Sequence, residues 1–181
     1  MPVLQTLPND VADRAPARMA PLAKLPVFWS LAGQRVIVAG GSDACAWKAE
    51  LLAACGARVE IYCEHLGEAC ATLVARGSPH PEGALIHCPM AWREDVFAGA
   101  ALAIADCDEE TEAHAFFDAA RRAGVPVNVI DKPAFCQFQF GSIVNRSPVV
   151  VSISTDGAAP ILAQAIRRRI ETLLPTSLKS W

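Results

Sequence analysis

The residues of this chain best placed to do chemistry stand first in one turn, Gly40-Gly41-Ser42-Asp43-Ala44-Cys45, between an apolar run and a helical pattern. The chemistry of such a turn is phosphate binding. In the dinucleotide fingerprint the first small residue makes the tight turn, the second lets the backbone approach a pyrophosphate, and the third allows close helix–strand packing. Gly40, Ser42 and Cys45 fall on those three positions, with Gly41 between the first two. Ser42 adds a Cβ and a hydroxyl where the phosphates would pass. Its hydroxyl can donate to phosphate, and a helix N-terminus offers free N–H groups beside it. Cys45 is slightly larger than the alanine often found at the third position. About 20 residues further on, the fingerprint expects an acid for the ribose. In "VEIYCEH" that place holds Cys63, with Glu64 next to it. Glu64 could reach ribose hydroxyls or be a solvated loop residue. Arg58 begins that strand and no arginine ends it, which favours NAD over NADP. By itself the turn fits either a dinucleotide site or plain strand-turn-helix packing.

Other chemistry is thinly represented. The seven cysteines, Cys45, Cys55, Cys63, Cys70, Cys88, Cys107 and Cys136, are odd in number and form no CxxC pair. That is poor material for a disulfide framework or a structural zinc site. The four histidines form neither HExxH nor HxH, so no metal site is expected.

Strands alternating with helices must position this turn. Apolar runs predict strands over 36–39, 57–63, 84–88, 101–106 and 125–131. Helical spacing predicts helices over 43–55, 68–76 and 110–124, ending at or before Gly56, Gly77 and Gly124. In the first helix the apolar positions are Ala44, Trp47, Leu51, Leu52 and Cys55. This order implies βαβ units and a Rossmann-like, doubly wound parallel sheet in an α/β fold. Beyond it, "FGSIVNRSPVVVSISTDG" reads as two strands joined by a turn. A last helix follows, capped by Thr155 or Asp156, with a stripe of Leu162, Ile166, Ile170 and Leu173. A strand-strand-helix unit this small buries little alone, so it must pack on the first domain or on another chain. The expected organisation is a flexible tail over 1–24, a nucleotide-binding domain over 25–136 and a dimerisation segment over 137–181.

The totals close off other classes. A formal net charge of −3 lacks the basic surplus of a nucleic-acid-binding protein. No apolar run reaches the ~18 residues that span a bilayer, and the start lacks a signal-peptide pattern. A cytoplasmic protein without a membrane role is expected.

The blocks "LPVFWSLAGQRVIVAGGSDACAWKAELLAACGA", "LAIADCDEET", "VPVNVIDKP" and "FGSIVNRSPVVVSISTDGAAPILAQAIRRRIETLLP", in this order over residues 25–175, resemble the precorrin-2 dehydrogenase/sirohydrochlorin ferrochelatase module of siroheme synthase. The resemblance implies NAD-dependent oxidation of precorrin-2 to sirohydrochlorin, with iron insertion in some members. It also implies a homodimer, and a uroporphyrinogen-III methyltransferase as a possible fused module. It assigns the catalytic role to Asp131 of Asn128-Val129-Ile130-Asp131-Lys132-Pro133, where a carboxylate can take the proton that leaves with the hydride. Asn128 of the same block falls to the tetrapyrrole. The implied NAD contacts are Gly40, Gly41, Ser42, Asp43, Ala44 and Cys45, then Glu64 and His65, then Cys107, where the family usually has threonine. Cys107 reads as a passive neighbour in preference to a tuned thiol. Among cations that could meet the substrate carboxylates, Arg146 ranks above Lys132 and the run 167–169, whose arginines point about 100° apart. Ser42 and Cys45 depart from the family's Gly and Ala, and Gly141 from its Pro. The chain also ends before the family's helical tail, which weakens the case for iron insertion. The alternative is a tetrapyrrole-binding or dimer-forming scaffold that has lost its cofactor.

Overall fold

The computed structural model describes residues 19–180. Most of the expected tail lies outside the described residues; residues 19–24 are exposed and form neither helix nor strand.

Five strands, β1 (Arg35–Ala39), β2 (Arg58–Tyr62), β3 (Ala84–Cys88), β4 (Leu102–Ala105) and β5 (Val127–Val129), make one parallel sheet in the order β3-β2-β1-β4-β5. Successive side chains of a strand point to opposite faces. Val36, Val38, Val59, Ile61 and Ile104 therefore pack under α1 (Asp43–Ala54) and α2 (Glu68–Arg76). Ile37, Ala39, Ala103, Ala105 and Val129 pack instead against Phe97 and α3 (Glu110–Arg122). Because both faces are covered, the strands read as unbroken apolar runs. The order reverses beside β1, so a crevice opens at the carboxyl ends of β1 and β4, where open α/β sheets take their ligands.

Helix α1 starts at the expected residue but buries a different face. Its buried positions are Cys45, Ala46, Ala49, Leu52 and Ala53, while Trp47 is 52% exposed and Cys55 is exposed. Close approach of a helix to a sheet selects small side chains, so size rather than hydropathy sets the phase here.

After β5 the chain turns at Asp131, forms a short 3-10 turn (Pro133–Phe135), and doubles back beside β5. Gln137 N donates to Val127 O at 2.8 Å, and the buried Asn128 donates through Nδ2 to Phe138 O at 2.8 Å. These bonds fasten the second unit to the first. That unit is an antiparallel pair, β6 (Ser142–Arg146) and β7 (Val149–Ile153), followed by α4 (Pro160–Leu173). Neither Thr155 nor Asp156 caps α4: Ala159 holds the N-cap position with Pro160 at the first helical residue. Asp156 sits in a left-handed turn (φ 52°) and pairs with Lys24 at 3.3 Å. The predicted stripe divides. Ala163, Ile166 and Ile170 pack inward, while Ile161 (84% exposed), Leu162 and Leu173 (77% exposed) face outward.

Candidate active site

The turn after β1 keeps the geometry of a phosphate cradle. Gly40 has φ 118°, a conformation that favours glycine, and a Cβ there would lie 2.9 Å from Cys45 Sγ. Cys45 is fully buried, and its thiol donates to Ala39 O at 3.5 Å. It thus performs the close packing of the fingerprint's third position. Ser42 is the N-cap of α1: its Oγ accepts from Cys45 N at 3.2 Å. The backbone N–H groups of Gly41, Ser42, Asp43 and Ala44 have no acceptor among the described residues. Free amides at a helix N-terminus are the groups that receive a pyrophosphate.

Gly41 is required for a reason the sequence hides. A Cβ there would meet His65 O at 2.7 Å and Cys63 Sγ at 3.1 Å. The loop after β2 folds back onto the turn, and Gly67 N donates to Gly41 O at 2.9 Å. Gly67 is glycine by the same contact, since its own Cβ would stand 2.6 Å from Gly41 O. Glu64 and His65 are exposed on this loop, next to the turn. Cys63, at the usual place of the ribose acid, is half-buried beside His87, 3.8 Å from Nε2.

At the end of β4 the side chain engaged with the turn is Asp106, not Cys107. The Ser42 hydroxyl donates a hydrogen bond to Asp106 Oδ2. The donor expected to meet phosphate is therefore already engaged by a carboxylate. Cys107 is 5% exposed, and burial pushes its thiol up to about 12, helped by the nearby Glu112 and Asp106. Burial likewise pushes Cys45 to about 12 and Cys70 to about 11. Burial with a raised pKa makes a thiol a poor nucleophile.

Asp131 stands exposed at the end of β5 with φ 57°, a strained conformation for a residue with a Cβ. Lys132 N closes the turn onto Val129 O at 3.2 Å. Near this turn is Lys48 of α1, which the sequence reading did not single out. It is half-buried, with its ammonium 4.0 Å from the Phe140 ring centroid and 4.5 Å from that of Trp47. Burial lowers its pKa, opposed by attraction to Asp131 and Cys136.

The other expected substrate residues have protein partners. Arg146 donates from Nε to Leu174 O at 3.0 Å and from Nη1 to Asn145 O at 3.1 Å, bracing the hairpin against the chain after α4. Asn128 is buried in the linker contact described above, and Lys132 Nζ donates to Asp108 O at 3.2 Å. Among the described residues no group of His, Cys, Asp or Glu could hold a metal ion. No helix among them is long and apolar enough to cross a membrane. A cavity of about 1100 Å³ lies elsewhere, lined by Leu25, Phe28, Trp29, Val125, Phe138 and Val151.

Comparison with known proteins brings this geometry into one frame. Residues 27–142 match the family model described as "Putative NAD(P)-binding", and residues 146–173 match "Sirohaem biosynthesis protein central". A siroheme synthase of Pseudomonas paraeruginosa is 39% identical over 153 residues, covering 84% of this chain and 32% of that protein. One of Nitrosospira multiformis is 36% identical over 152 residues, covering 83% and 32%. The chain thus spans about a third of the length of the curated relatives it matches. The solved structure titled "SirC, precorrin-2 dehydrogenase" shares the fold, with a TM-score of 0.64, 16% identity, and coverage of 87% of this chain and 74% of that one.

Proposed function

The chain belongs to the NAD(P)-binding family that its residues 27–142 match, with a sirohaem-biosynthesis central segment behind it, and on that footing we propose that it oxidises precorrin-2 to sirohydrochlorin with NAD. One observation carries the reading: the unpaired amides of the β1–α1 turn and the carboxylate-bearing turn at Asp131 open on the same edge of the sheet. The oxidation removes two hydrogens, one as a hydride and one as a proton. A bound nicotinamide supplies the hydride acceptor. The hydride leaves a ring carbon, and Asp131 receives the proton that leaves elsewhere on the macrocycle, at a strand end whose strained backbone holds the carboxylate out of the sheet. The amides of Gly41, Ser42, Asp43 and Ala44 hold the pyrophosphate, and Glu64 lies beside the ribose. The extra phosphate of NADP would meet Glu64 without a compensating arginine, which supports NAD.

The outward residues of α4 (Ile161, Leu162 and Leu173) and the exposed Val149 and Val150 of β7 support a homodimer through the second unit. A methyltransferase module and iron insertion remain further proposals for the same pathway. The scaffold alternative is not favoured by the turn, whose amides stay open for a ligand.

The test is an anaerobic assay of the purified chain with precorrin-2 and NAD. Sirohydrochlorin absorption should appear together with an equal amount of NADH, and Asp131→Ala should slow the reaction by about 10²–10⁴-fold. Wild-type protein that binds NAD but leaves the precorrin-2 spectrum unchanged would refute the proposal. Iron added afterwards, with formation of siroheme as the readout, tests the insertion step separately.

A further inference from the structure

Lysine on an amphipathic helix ordinarily keeps its ammonium in water and lays only its stem on apolar surface. Lys48 departs from that pattern. Its Nζ, not its stem alone, rests on the face of Phe140 at 4.0 Å and near Trp47 at 4.5 Å. Among the described residues it has neither a hydrogen bond nor an ion pair. Cation–π contacts offset part of the lost hydration but leave the three N–H donors without a protein acceptor among the described residues. Of the other cations considered for the substrate, Lys132 is engaged by Asp108 O, Arg146 by Leu174 O and Asn145 O, and Arg167 by Glu171 at 3.0 Å, while Arg168 and Arg169 are exposed on α4.

The site therefore holds the proposed base, Asp131, whose negative charge repels a polycarboxylate, and near it a half-buried ammonium that makes no ion pair among the described residues. Phe140 lies on the chain that returns from Asp131, and Phe138 meets it edge-to-face at 5.5 Å, so the aromatic floor is itself supported.

We propose that Lys48 is the substrate-anchoring residue of this site: seated on Phe140, its ammonium takes a peripheral carboxylate of the tetrapyrrole and so fixes which ring carbon lies beside Asp131. The inference rests on the tetrapyrrole reading above and adds a specificity-determining residue to it. A carboxylate at this position supplies the missing acceptor, forms a charge-assisted hydrogen bond in a partly dehydrated setting, and offsets the repulsion from Asp131.

The experiment uses sirohydrochlorin, the proposed product, as the probe, titrated anaerobically into wild-type chain, Lys48→Met and Lys48→Arg. Tryptophan quenching reports binding, and thermal shift with NAD is run in parallel. Lys48→Met should weaken sirohydrochlorin binding about 10- to 100-fold, and Lys48→Arg should recover most of it. NAD stabilisation should be the same in all three. The wild type should lose affinity more steeply with added salt than Lys48→Met. Equal affinity of Lys48→Met and wild type overturns the assignment and leaves the dehydrogenase reading intact. A parallel fall in both sirohydrochlorin and NAD binding also overturns it, since that marks a structural lysine. If Lys48→Met does not fold, Lys48→Gln against Lys48→Arg makes the same charge comparison. Wild type that binds sirohydrochlorin but does not oxidise precorrin-2 removes the dehydrogenase reading and keeps the anchor. Wild type that does not bind sirohydrochlorin removes both.

Discussion

Replacing Asp106 by asparagine should tighten NAD binding. The carboxylate accepts from the hydroxyl of Ser42, whose own N–H belongs to the open set of amides. A phosphate accepting from those amides at ordinary hydrogen-bond length would lie roughly 6 Å from the carboxylate. Two unit charges at that separation repel by about 3 kcal/mol at an effective dielectric constant of about 20. Partial exposure and salt reduce this to about 1–1.5 kcal/mol, or about tenfold in Kd. Asparagine keeps an acceptor for Ser42 Oγ, so the N-cap of α1 survives and only the charge changes. Calorimetric titration with NAD should give Asp106→Asn about a tenfold lower Kd than wild type at low salt, with the gap closing at high salt. Asp106→Ala, which also frees Ser42, serves as the control for the hydrogen bond. Unchanged or weaker binding by Asp106→Asn would refute the repulsion and make the carboxylate itself a cofactor contact.

Three other outcomes concern Glu60, the buried thiols and the outward face of α4. Burial raises the pKa of Glu60, but hydrogen bonds from Arg35 (2.9 Å) and Tyr62 (2.9 Å) outweigh it and leave the value below the ordinary 4.5. A depressed carboxylate stabilises the fold above its unfolded pKa and loses that contribution as pH falls through the folded value. Glu60→Gln should therefore cost about 1–2 kcal/mol at pH 7, and less below about pH 4, in denaturant melts; a constant gap would contradict this. Native protein treated with a thiol reagent at neutral pH should keep Cys45, Cys70 and Cys107 unmodified by mass spectrometry, because burial protects them and raises their pKa values. Rapid labelling of Cys107 would instead mark it as open to the crevice. The double substitution Ile161→Ser and Leu173→Ser should convert a dimer to monomer by light scattering, at about 1.5–3 kcal/mol per side chain buried. An unchanged dimer, or a monomeric wild type, would place that face elsewhere in the biology.

The strands and helices of the first domain were legible because burial on both sheet faces writes unbroken apolar runs, and glycines close the helices. Helix α2 (Glu68–Arg76) and strand β3 (Ala84–Cys88) coincide with the stretches read from sequence. The buried face of α1 was not legible, since its packing is chosen by side-chain size and its alanines and cysteine carry almost no periodic contrast. Gly41 looked like part of a cofactor fingerprint; its partner is the loop carrying His65 and Gly67, a contact between segments about 25 residues apart. Asp106 and Lys48 were missed for a related reason. Asp106 meets Ser42 only when β4 pairs with β1, and Lys48 meets Phe140 only when the chain after β5 doubles back. Asp131 became a candidate by resemblance alone, and its positive φ is the structural mark that residue type could not reveal.

On the proposed function the site would hold two anions side by side on a protein of net charge −3. Many of its cations are already paired, as Arg35 with Glu60, Arg122 with Glu94 and Arg167 with Glu171 are. Long-range attraction therefore cannot be what selects the ligands. The pyrophosphate is offered amide N–H groups, which carry partial charge and reward correct geometry over net charge. On the reading proposed above, the tetrapyrrole would meet one half-buried ammonium at short range. With NAD as the proposed cofactor, the carboxylates of Asp43, Asp106 and Glu64 around the turn would disfavour a ligand carrying an extra phosphate. Specificity then comes from local contacts, and the salt dependence of tetrapyrrole binding should correspond to about one ion pair, far shallower than a basic patch would give.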